Sequence, residues 1–102
     1  MIGILIVALA SGALEIAVES LSLEQRNQIA TAVVKVTNKG AAPFGSVYID
    51  CAFFDSQDRA QQTSVGLISN LNSGETAYAS VRVVAKDYSV NHVKCRIGNT
   101  SD

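Results

Sequence analysis

Val47-Tyr48-Ile49-Asp50-Cys51-Ala52-Phe53 sorts its side chains into two sets. Val47, Ile49, Cys51 and Phe53 share one phase; Tyr48, Asp50 and Ala52 share the other. Successive side chains of a β-strand point to opposite faces, so a period of two marks a half-buried strand. The run predicts a strand over 46–54 with Cys51 facing a core. The second cysteine sits in a matching stretch, Val93-Lys94-Cys95-Arg96-Ile97, and shares its phase with Val93 and Ile97. Two inward-phased thiols, 44 positions apart, can be joined. A Cys51–Cys95 bridge contributes roughly 4 kcal/mol in the chain-entropy model, for a loop of about 45 residues. The alternative is two free buried thiols that pack as small hydrophobes. A redox-active pair would call for an exposed, low-pKa thiol, usually in Cys-x-x-Cys. Disulfides persist in oxidising compartments, so the bridge and export go together.

Working outward, Ile29 to Asn38 is the clearest strand, with Ala30, Ala32, Val34 and Val36 on one face. Asn38-Lys39-Gly40 ends it with residues that tolerate positive φ, and Pro43 keeps the 41–45 connector out of a sheet interior. Asp55-Ser56-Gln57-Asp58-Arg59 suits a hairpin loop. Gln62 to Ile68 reads as its return strand, with weaker alternation. Asn70 to Glu75 is a turn cluster. Thr76 to Val84 is a strand in which Ala77, Ala79, Val81 and Val83 compete with Tyr78 for the inward face. Lys86-Asp87 breaks the pattern, Val90 to Ile97 is the last strand, and Gly98 to Asp102 reads as a fraying polar tail. Near the start, Leu14-Glu15-Ile16-Ala17-Val18-Glu19 alternates, and the phase then slips to Leu21 and Leu23. A bulge or turn near Ser20 accounts for the slip; the alternative is a capping box over Ser22 to Gln25 starting a helical turn. Six or seven strands separated by polar turns predict an all-β, antiparallel β-sandwich, with a small barrel as the alternative. One domain over 14–98 and a polar tail over 99–102 is the expected organisation.

The first residues differ from the rest. Ile2 to Ala10 carries no charge, and Ala8-Leu9-Ala10 before Ser11 has the small-x-small form of a signal-peptidase site. The run is short of the ~20 residues a spanning helix needs. Residues 1–10 therefore read as a signal peptide, although no Lys or Arg precedes the run; a buried first strand and a truncated anchor are the alternatives.

Composition narrows the function. Charged residues are 17% of the 102 and the net charge is −1, so nothing draws the chain electrostatically to nucleic acid or anionic lipid. Trp is absent and aromatics are 6%, too few for a base-stacking platform.

The middle of the chain resembles the bacterial FxLYD-type domains. Val33 to Gly40 is similar to their strand, V-x-N and small turn. Cys51-Ala52-Phe53-Phe54-Asp55 takes the place of their aromatic-x-x-x-Asp segment. Asn70-Leu71-Asn72-Ser73-Gly74-Glu75-Thr76 looks like their L-x-P-G-E turn, with Ser73 in place of the usual proline. The resemblance covers roughly 29–97. It implies an immunoglobulin-like β-sandwich, commonly exported or attached to the cell envelope, without a known catalytic role.

Candidate chemistry is thin. His92 is the single histidine and is phased outward; a zinc site usually needs three or four converging ligands. Asp55 and Asp58 flank one loop but lack the density of a calcium loop, and Asp55 is suited to an Asx-turn, as is Asn38. Glu15 and Glu19 read as a solvated face. No serine lies in Gly-x-Ser-x-Gly, and no phosphate-cradling glycine loop or Rossmann fingerprint is present. Asn99-Thr100-Ser101 is a formal glycosylation triplet. No catalytic residue, metal, cofactor or small-molecule site is assigned. Tyr48 and Phe54, both opposite in phase to Cys51, form a candidate partner-binding face; a covering loop or N-terminal segment is the alternative. The expected function is that of a noncatalytic, periplasmic, secreted or envelope module that binds a protein partner or itself. The alternative is a small inhibitor or immunity-type protein docking a loop, 38–45 or 57–62, into an enzyme.

Overall fold

Alternating sequence becomes strand over most of the chain. The computed structural model describes residues 13–24, 26, 28–85 and 90–102; the expected signal peptide at 1–10 lies outside them. Six strands follow in order: β1 (Leu14–Glu24), β2 (Ile29–Asn38), β3 (Phe44–Phe54), β4 (Ala60–Leu71), β5 (Thr76–Val84) and β6 (His92–Ser101). There is no helix among the described residues. Two antiparallel sheets form, ordered β1-β2-β5 and β4-β3-β6. The architecture is an immunoglobulin-like β-sandwich. In that scheme the sheets are A-B-E and C′-C-F, and no described strand occupies the place of G beside β6.

The core is two facing rows. Ala30, Ala32, Val34 and Val36 of β2 are fully buried, as are Val47, Ile49 and Phe53 of β3. β5 resolves its ambiguity in favour of the small residues: Ala79, Val81 and Val83 are buried, and Tyr78 is 59% exposed. Space decides this. Gly66 of β4 lies so close that a Cβ there would stand 2.8 Å from Val81 Cγ2. A tyrosine on that face would find no room.

Several local expectations are met and others corrected. The slip in β1 is a bulge between Val18 and Ser20, after which Leu21 and Leu23 pair with Ala32 and Ala30. The capping box starts no helix, since Ser22 to Glu24 stay in the strand. A bulge answers the slip better because it returns both leucines to the inward phase. Leu71 is not a turn residue; it ends β4 and is buried. Asn70, just before it in β4, has φ 57. The reversal is Asn72 to Glu75, where Glu75 N donates to Asn72 O. Gly74 has φ 80, the conformation a β-turn asks of glycine. The segment read as a frayed tail continues β6 instead: Thr100 and Ser101 pair with Val47 and Ser46. Its polarity is no obstacle, because Asn99, Thr100 and Ser101 are exposed.

Asn38 is the one buried polar side chain among the described residues. Its amide donates to Ala42 O at 2.9 Å and to Leu71 O at 3.2 Å, and its Oδ1 accepts from Gly40 N at 2.9 Å. The last bond is the expected Asx-turn. The first two tie the end of β2 to the connector and to the end of β4. A buried amide with both ends satisfied fixes the geometry where two strands change sheets.

Candidate functional site

The outward face of β4-β3-β6 holds the features that can act on another molecule. Register builds it. Tyr48 pairs with Leu67, Asp50 with Val65 and Ala52 with Thr63 across β3–β4; Asp50 pairs with Arg96, Ala52 with Lys94 and Phe54 with His92 across β3–β6. Small Ala52 sits between larger neighbours and leaves a hollow. An open trough of about 430 Å³ results, lined by Asp50, Ala52, Thr63, Val65, Lys94 and Arg96, with Cys51, Ser64 and Cys95 completing it. One wall is apolar: Val65 lines the trough, and Tyr48 and Leu67 extend that wall beyond it, the three being 41% (Tyr48), 57% (Val65) and 50% (Leu67) exposed. The other is basic. Arg96 Nε is 3.9 Å from Asp50 Oδ2 and its side chain is 83% exposed, a loose pair worth little.

Cys51 and Cys95 are register partners on β3 and β6. Their sulfurs are 2.05 Å apart and their Cα atoms 4.0 Å. The bridge therefore joins neighbouring strands of one sheet and does not link the two sheets. Cys51 is buried, and Cys95 is partly buried against the core. Periodicity places both thiols inward but carries no information on which strands are neighbours.

Tyr48 and Phe54 share a face but not a patch. They are six positions apart, roughly 20 Å along a strand. Phe54 is half-covered: His92 stacks on it at 4.9 Å between centroids, and Lys94 Nζ lies 5.3 Å from its ring centre, within cation–π range. The residues that join Tyr48 are Val65 and Leu67. Sequence reading passed over them because β4 is inverted, with Gln62, Ser64 and Gly66 facing in and Val65 and Leu67 facing out. Register counted back from the 55–59 loop would put Val65 opposite Ile49; a bulge between Phe53 and Phe54 shifts the pairing by one and turns Val65 and Leu67 outward.

His92 is outward and half-buried. Its Nε2 lies 2.8 Å from Asp58 Oδ1 and its Nδ1 3.0 Å from Asn91 Oδ1. Both ring nitrogens are engaged within the protein, and neither His92 nor Asp58 lines the trough. Asp55 is also spoken for. Its Oδ1 accepts from Gln57 N at 2.9 Å and Arg59 N at 3.0 Å; its Oδ2 accepts from Gln61 Nε2 at 2.8 Å. The bond from Arg59 N is the main cause holding its carboxyl below the usual 3.8; burial opposes it, and the Gln57 amide, the Arg59 charge and Gln61 reinforce it. A carboxylate so engaged shapes its loop and offers little to a cation. No group of three or more His, Cys, Asp or Glu is arranged for a metal among the described residues.

No family model matches the chain, and no curated protein matches it. Solved structures do. IrmA from Escherichia coli is similar with a TM-score of 0.61 at 14% identity, over 85% of this chain and 78% of that one. A β-glucosidase from Kluyveromyces marxianus is similar with a TM-score of 0.51 at 12% identity, over 85% of this chain but 14% of the enzyme. The likeness is one of fold. At such identities neither protein's activity passes to this chain.

Proposed function

We propose that this protein is a noncatalytic, extracytoplasmic module that binds a protein partner through the outward face of β4-β3-β6. The observation that carries the reading is the coincidence, on one face, of an open trough with basic Lys94 and Arg96 in its lining and of an apolar set that runs from Val65 at its edge to Tyr48 and Leu67 beside it. Exposed Tyr48, Val65 and Leu67 form a contiguous apolar set of the kind that marks an interaction surface. The Cys51–Cys95 bridge supports export, because such bonds persist outside the reducing cytosol. The FxLYD-type resemblance supports the same setting. No helix among the described residues is long and apolar enough to cross a membrane.

The test compares two faces. Photocrosslinking side chains at Tyr48 and Leu67, and at Tyr78 on the other sheet, are placed in the protein within its native host. Discrete adducts from Tyr48 and Leu67, and none from Tyr78, are the expected result. Equal adducts from all three, or none from Tyr48 and Leu67, contradict the reading. A second reading, a loop docked into an enzyme, draws on residues 57–62, which Asp55 holds through Gln57 N, Arg59 N and Gln61 Nε2; preorganisation of that kind aids docking.

A further inference from the structure

The sandwich has two sides where the edges of its sheets meet. β4 faces β5 on one, and β1 faces β6 on the other. The β4/β5 side is shut: Ile68, Leu71, Val81 and Val83 are buried, and Gln62 Nε2 donates across it to Val84 O. Among the described residues the β1/β6 side is less covered. Val18 and Leu23 are phased inward, yet they are 38% and 46% exposed, and Val93 and Ile97 of β6 are only partly buried. The bulge at Glu19 keeps Leu21 and Leu23 on the inward phase, towards a gap that the described residues do not fill.

β6 also ends its sheet, pairing with β3 and with no other described strand. Its backbone phase follows from the Cys51–Cys95 pair. A Cα separation of 4.0 Å is that of a non-hydrogen-bonded antiparallel pair, whose amides point away from each other. The N–H and C=O groups of Val93, Cys95 and Ile97 therefore face the open edge. A strand laid there would set alternate side chains beside Val93, Cys95 and Ile97, over the gap. Its remaining side chains would lie beside Lys94 and Arg96, both exposed and both cationic. Self-pairing of β6 centred on Cys95 sets Lys94 against Arg96, and like charges directly opposite repel.

We propose that the β6 edge accepts an extended segment of a partner protein, with apolar side chains alternating with Asp or Glu, as an added strand in the place of G. This rests on the reading of the protein as a binding module and specifies the partner's chemistry. It does not need the Tyr48–Leu67 wall.

The test uses the full chain and synthetic nine-residue peptides: alternating Val and Glu, alternating Val and Lys, and the Val/Glu peptide with a central proline. Affinity is read by fluorescence anisotropy, and amide exchange of β6 by NMR. The Val/Glu peptide is expected to bind and to slow exchange at Val93, Cys95 and Ile97. The Val/Lys and proline peptides are expected to bind at least about tenfold more weakly. The double variant Lys94→Glu/Arg96→Glu is expected to reverse the preference between Glu and Lys peptides. Leu23→Asn, at a half-exposed position, is expected to weaken binding several-fold with the melting temperature little changed. Several outcomes overturn the proposal: no binding, binding without protection of β6, or an unchanged preference in the double variant. So does protection of those three amides without peptide; if it grows with protein concentration the occupant is a second copy, and if not it is this chain itself. Adducts at Tyr48 with β6 unprotected would keep the binding-module reading and refute this inference.

Discussion

The β4/β5 and β1/β6 sides of the sandwich are built from the same alternation and end differently. On the β4/β5 side, Gly66 admits Val81 at close range, Leu71 is buried, and Asn38 binds the Leu71 carbonyl. On the β1/β6 side, Val18 and Leu23 of the inward phase stand half in water. Phase decides which way a side chain points. What decides whether it is covered is the strand beyond it, and β1 and β6 each lie at the end of their sheet. One side carries the packing that stabilises the fold; the other keeps apolar surface and backbone groups in reach of another chain.

The sharpest ways to break this contrast begin with the bridge. Cys51→Ala/Cys95→Ala should lower unfolding free energy by about 4 kcal/mol in urea titration, because it releases the closed loop of the unfolded chain; no loss would mean that the bridge does not form or that strain in the folded state cancels its gain. Asn38→Ala is next, at about 3 kcal/mol by the same titration, since it strips partners from the buried Leu71 carbonyl and the Gly40 amide. Gly66→Ala should cost about 2 kcal/mol by overpacking against Val81; a neutral result would show that the shut side yields easily. The smallest effect belongs to Asp55. Its folded-state pKa lies below the ordinary 3.8, so its contribution is present above that value and is lost as pH falls through the lower, folded one. Below about pH 4, the melting temperature of Asp55→Asn should therefore fall less steeply than that of the unaltered protein, measured by circular dichroism between pH 5 and 2.

Much of this body was legible in the residues. Alternation in β2 and β3 located the central strands and their inward rows, because central strands are covered on both flanks and their pattern is clean. Asn38 and Asp55 were legible as turn formers, since their bonds are local. What escaped is what depends on neighbours distant in sequence. Val65 and Leu67 face out because a bulge between Phe53 and Phe54 shifts the register of β4 by one residue. Tyr78 yields the core because Gly66, on another strand, leaves no room. Phe54 is taken up by His92, which stacks on it from the neighbouring strand. Gly98 to Ser101 joins β6 because β3 offers it a partner.

One comparison of variants tests the contrast between the two sides most directly. Val18→Asn/Leu23→Asn changes two residues on the open side, and Ile68→Asn changes one on the shut side. In urea titrations of both, the open-side pair should lose less than about 1 kcal/mol, while the single shut-side change loses about 3 kcal/mol or more. An open-side pair that costs as much as Ile68→Asn would show that Val18 and Leu23 are already covered, and that the β1/β6 side has no room for an added strand.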